Sequence, residues 1–135
     1  MEINWAKLVP ELTVSDFEAS LNFYKLLGFE VLFTRENFAY LEFEGAQLML
    51  EQYSESDWNV GILEKPYGRG VNFQIECADA TALRDKIAQA GFVLYRDLKD
   101  TWRQTGDTTS GAREFLIQDP DGYLLRFAEE LETTK

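Results

Sequence analysis

The chain has 135 residues, 45% of them hydrophobic and 14% aromatic, which is one domain's worth with a real core. Its formal charge of −11 sets it against nucleic acid and anionic membranes and leaves neutral or cationic ligands. With no histidine and a single cysteine, Cys77, it has no Ser-His-Asp or Cys-His catalysis, no internal disulfide and no thiolate metal cluster.

Any metal would need carboxylates, which suit Mg, Ca or Mn better than Zn. No apolar run reaches the ~18 residues of a membrane helix, and the opening MEINWAK lacks the form of a secretory signal. A cytoplasmic protein is expected.

In chain order, the first predicted strand runs over 8–14, with Leu8, Pro10, Leu12 and Val14 on one face and Val9, Glu11 and Thr13 on the other. A helix follows. Ser15 and Glu18 have capping-box spacing, Phe17, Leu21, Tyr24 and Leu27 form the apolar stripe, and Gly28 ends it. Strands are predicted over 29–34, Phe38–Phe43 and Ala46–Gln52, with hairpin signals at Arg35-Glu36-Asn37 and Glu44-Gly45. The stretch 54–69 reads as a polar linker.

The pattern then repeats. A strand with Val71, Phe73, Ile75 and Cys77 on its apolar face leads to Asp79, a helix with Leu83, Ile87 and Ala90 as its stripe, and Gly91. Asp16 to Gly28 and Asp79 to Gly91 have equal spacing, with copies 63 positions apart. Asp16 and Asp79 read as caps. Strands are predicted over 92–96, 113–118 and 123–128, with 97–112 as a long loop carrying Trp102. Asp119-Pro120-Asp121-Gly122 is a tight turn, and Leu131–Lys135 reads as a tail. The expected organisation is therefore α+β: one domain, with a β-α-β-β-β module over about 7–53, the linker, and a second module over about 70–130.

One face of each strand is apolar; the other is mixed and carries Glu11, Glu51, Glu76 and Arg126 beside Phe38 and Tyr40. A few polar groups among aromatics are how small-molecule pockets are built. A solvent-facing sheet side would also suit a mixed face. Arg126 has two candidate roles: pairing with Glu51 or Glu76, or binding a ligand carboxylate or phosphate.

The duplication, "TVSDFEASLNFYKLLGFEV" and "REFLIQDPDGYLLRF" together resemble the glyoxalase / bleomycin-resistance / extradiol-dioxygenase superfamily, closest to its bleomycin-resistance branch. The resemblance implies curled mixed sheets around a cleft, and a homodimer that sequesters a small molecule. Metal-dependent members keep ligands on the first and last strands of each module; carried over by motif, those positions fall on Val9, Met49, Asn72 and Arg126. Arg is a permanent cation without an acceptor, Val has no lone pair, and Met is a weak donor. No metal and no cofactor are therefore expected.

The sequence reading is a binding protein for a cationic or aromatic, bleomycin-like ligand, with Phe38, Tyr40, Met49, Glu51, Asn72, Trp102 and Arg126 as candidate contacts. A lyase or dioxygenase of the same fold is the alternative, and a plain dimeric scaffold using Trp5 and Trp58 at an interface is a third.

Overall fold

A computed structural model describes residues 2–56 and 58–132. The tail expected over Leu131–Lys135 lies mostly outside them. The elements are β1 (Glu11–Val14), α1 (Phe17–Leu27), β2 (Glu30–Arg35), β3 (Phe38–Phe43), β4 (Ala46–Gln52), β5 (Asn72–Glu76), α2 (Ala80–Gln89), β6 (Arg96–Thr105), β7 (Thr108–Gln118) and β8 (Leu124–Glu130). They form two four-stranded sheets of identical topology, β1-β4-β3-β2 and β5-β8-β7-β6. In each, the first strand runs parallel to the last and the remaining pairs are antiparallel. The α+β duplication read from the sequence is thus present, each module having one helix and four strands. The chain divides into two compact units: the stretch up to Tyr67 together with Pro120–Gly122, and Gly68–Asp119 together with the chain from Tyr123 on.

In the first unit, Leu12, Val14, Leu41, Leu48 and Leu50 point from the sheet toward Leu21, Tyr24 and Leu27 of α1. Each such side chain contributes roughly 1.5–3 kcal/mol through its burial. Helix α1 starts on Asp16, whose carboxylate accepts from the Ala19 amide, and stops on Gly28 at φ 111°, a left-handed residue. Ser15 does not complete the expected capping box. Its hydroxyl and amide are both taken by the carboxylate of Asp121. The hairpin β3–β4 turns through Glu44 (φ 46°) and Gly45 (φ 94°), two consecutive left-handed residues that match the twist of the flanking strands.

In the second unit, Ile75, Phe115, Ile117, Leu125 and Phe127 meet Leu83 and Ile87 of α2. The Phe115 and Phe127 rings stack with centroids 5.4 Å apart. Asp79 caps α2 by accepting from the Ala82 amide, as its sequence position predicts. Leu8, Val71 and Ala90, expected on packed faces, are exposed; Leu8 and Val71 fall outside the strands.

Two expectations fail here. The stretch 97–112 is not a loop: it forms most of β6 and the start of β7, one long hairpin turning at Gly106-Asp107. Its residues are polar on both faces, so no apolar alternation marks it. The stretch 92–96 is not a strand, and only Arg96 enters β6. Among the described residues, no helix is long and apolar enough to cross a membrane.

Candidate functional site

In the first unit, the sheet face away from α1 is aromatic and acidic. The register sets Tyr40 against Met49 and Phe38 against Glu51, with Glu11 and Thr13 on β1 beside them. Four predicted contacts, Phe38, Tyr40, Met49 and Glu51, therefore lie on neighbouring strands. They are not bare. Phe38 is 5% exposed and Tyr40 7%, because other groups roof them. Phe33 stacks on Tyr40 at 5.3 Å, and Trp5 meets Tyr40 edge-on at 5.0 Å. The Arg35 guanidinium lies over both Phe33 (5.2 Å) and Phe38 (4.9 Å), a paired cation–π contact.

Gln47 holds the entry of the chain against this face. Its carbonyl oxygen accepts from the Ala6 amide (2.8 Å) and the Tyr40 hydroxyl (2.7 Å), and its amide donates to the Asn4 carbonyl (2.7 Å) and to Glu42 (2.9 Å). Burial, and then the Glu51 charge, push the Glu11 carboxyl above its usual range, while Arg35 pulls it back in part.

In the second unit, the face away from α2 is built around Glu114, whose side chain is 1% exposed. Arg126 Nη1 donates to its Oε2 at 3.1 Å and Arg103 Nη2 to its Oε1 at 3.3 Å, with Arg96 Nη2 at 3.9 Å. Arg126 Nε donates in turn to Asn72 Oδ1 at 3.2 Å. The partner of Arg126 is thus Glu114, and not Glu51 or Glu76 as the sequence suggested. An isolated buried carboxylate would be costly; guanidinium pairing makes this one tenable. Beside it opens a cavity of about 380 Å³, lined by Gln74, Glu76, Arg103, Ser110, Glu114 and Glu130 among others.

Of the three predicted contacts in this unit, Asn72 and Arg126 come together and Trp102 does not join them. Trp102 pairs in register with Gly111, and its ring lies where a methyl group on that glycine would be. Gly111 alternates onto the side of Phe115 and Ile117, opposite Glu114 and Arg126.

The positions that the family resemblance pairs with metal ligands do not suit a metal in either unit. Val9 and Met49 offer one weak thioether. The Asn72 oxygen already accepts from Arg126, which brings its own permanent charge. Among the described residues, no three His, Cys, Asp or Glu side chains are grouped to hold an ion.

A family model described as "Glyoxalase/Bleomycin resistance protein/Dioxygenase superfamily" matches residues 3–127. No curated protein matches. Among solved structures, TioX from Micromonospora sp. ML1 is 20% identical with a TM-score of 0.71, over 94% of this chain and 100% of that one. A virulence protein from Salmonella typhimurium is 22% identical with a TM-score of 0.67, over 97% and 100%. A glyoxalase/bleomycin resistance protein/dioxygenase from Alicyclobacillus acidocaldarius is 21% identical with a TM-score of 0.65, over 93% and 91%. At these identities the likeness is one of fold.

Proposed function

This chain belongs to the glyoxalase/bleomycin resistance protein/dioxygenase superfamily, and within it we propose that it is a metal-independent binding protein that captures a small cationic or aromatic molecule of the antibiotic type. One observation carries the reading. The first unit already holds a cation against its aromatic face: Arg35 lies over Phe33 and Phe38, on the face that carries Glu11 and Glu51. A ligand with a flat ring and a positive group would make the same contacts by displacing that guanidinium, whose side chain is exposed. It would also relieve the repulsion between Glu11 and Glu51. The net charge of −11 would draw such a ligand in. Capture would be stoichiometric, with no bond changed.

The working form in this proposal is a homodimer in the cytoplasm. Native mass of the purified protein tests the assembly. Calorimetry with metal-free and copper-loaded bleomycin, and with a panel of cationic aromatic drugs, tests the ligand class. Heat at micromolar protein that disappears in Phe38→Ala supports it; silence across the panel sinks it.

The raised Glu11 carboxyl favours a second reading, proton transfer on a small molecule by a member that has kept catalysis without a metal. Turnover abolished by Glu11→Gln, with binding retained, would select that reading over capture.

A further inference from the structure

The cavity of the second unit is a charged site that the cation reading of the first unit does not use. Its chemistry divides by strand. Arg103 on β6 supplies a guanidinium, 54% exposed, tethered to Glu114 through Nη2 alone. Behind it, Arg126 and Arg96 surround the same carboxylate. Three guanidinium groups around one carboxylate leave two positive charges and many N–H donors over. Among them, Arg96 Nε and Nη2 are buried without a hydrogen-bond partner. On the far strands, Glu76 (β5) and Glu130 (β8) also line the cavity, and among the described residues neither is paired with a cation. In the strand order β5-β8-β7-β6, two or three strand spacings, about 10–14 Å of backbone, separate these carboxylates from Arg103. Ser110, Thr105 and Gln74 add neutral polar groups to the lining.

We propose that this cavity binds a small zwitterion, an amino carboxylate whose two charges stand several ångströms apart. Its carboxylate takes the free N–H groups of Arg103, and its ammonium lies between Glu76 and Glu130. A simple anion satisfies the guanidinium pole but meets the two carboxylates. A simple cation does the reverse. Only a molecule carrying both charges leaves neither pole unpaired, which is how a polar site discriminates. Glu114 is a positioning residue here: it fixes the Arg103 head and is itself fixed by Arg126.

The test is calorimetry on the full chain with 6-aminohexanoate, hexanoate, hexylamine and inorganic phosphate. The expected result is that 6-aminohexanoate binds about tenfold or more tightly than either singly charged probe. Arg103→Ala should abolish that binding, and the double change Glu76→Gln with Glu130→Gln should reduce it to the level of hexanoate. All three side chains are substantially exposed, so the fold should survive, which thermal melting confirms. Binding of hexanoate or phosphate as tight as that of 6-aminohexanoate would make this a plain anion site and overturn the proposal, as would silence from all four probes. The drug panel reads the aromatic face of the first unit, so either result can fail without the other.

Discussion

The guanidinium of Arg126 and the carboxylate of Glu114 meet at 3.1 Å across adjacent strands, with the glutamate almost fully buried and the arginine partly so. Leu116, not Glu114, is the register partner of Arg126, so the pair is a diagonal one across β7 and β8. Removing the carboxylate leaves three guanidinium groups facing one another. Glu114→Ala should lose about 2–4 kcal/mol in urea denaturation, and Glu114→Gln somewhat less because it keeps an acceptor. A loss below about 0.5 kcal/mol for both would mean the arginines simply turn to solvent.

Asp121 is 1% exposed and accepts from both the amide and the hydroxyl of Ser15, with Lys65 Nζ at 3.6 Å. Asp121→Ala should cost about 2–3 kcal/mol, because it removes the shared acceptor of the Ser15 amide and hydroxyl at the entry to α1. Ser15→Ala removes only the hydroxyl and should cost about 1 kcal/mol. Comparison of urea midpoints checks both.

Gly122 has φ 92°, and a methyl group there would collide with Pro66. Gly45 has nearly the same φ, 94°, but faces open space. Gly45→Ala should therefore cost about 1 kcal/mol from backbone strain alone. Gly122→Ala should cost at least twice that by thermal melting. Equal losses would show that the turn yields to the added methyl.

Glu11 binds its proton more tightly in the folded chain than in the unfolded one, through burial and the nearby Glu51. Its contribution to stability is therefore complete below about 4.5, its ordinary value, and is lost as pH rises through the raised value. Glu11→Gln mimics the protonated form. The variant should be more stable than the parent at pH 7 and indistinguishable from it at about pH 4, in parallel thermal melts.

Gln47 ties Asn4, Ala6, Tyr40 and Glu42 to one buried amide. Gln47→Ala should cost about 1–3 kcal/mol and loosen Trp5 from Tyr40. With Trp58 and Trp102 replaced by Phe, Trp5 alone reports: its emission should shift to the red and its anisotropy fall.

The duplication was legible because each helix carries the same capping Asp and the same closing Gly at equal spacing, and because Phe38–Phe43 and Ala46–Gln52 are bounded by turn residues. The β6–β7 hairpin was not. Asp100, Thr101, Arg103 and Gln104 are polar whichever way they face, so period-two alternation vanished. Its one usable signal was Gly106-Asp107, a two-residue hairpin pair lying between two stretches of strand. Losing that hairpin hid Arg103 and Arg96, and with them the reason for Glu114. Arg126 was placed on the right face by alternation alone. Its partner could not be found, because Glu114 sits within "REFLIQ", where it reads as one charge in an apolar run. Trp102 could not be placed on a face for the same reason: without a register, no face can be given to a residue in a supposed loop. Arg35 was read as punctuation between strands, yet Phe33 and Phe38 hold it in place.

The turn at Pro120–Gly122 lies far along the chain but belongs to the same compact unit as α1. A gene cut in the 54–69 linker would consequently yield a first fragment that is incomplete. That fragment would end before the carboxylate that satisfies Ser15 and before the glycine that nestles against Pro66. The sequence repeat and the physical unit do not share a boundary. Expressed apart, the first half should need the second present to fold fully, because only the second supplies Pro120–Gly122.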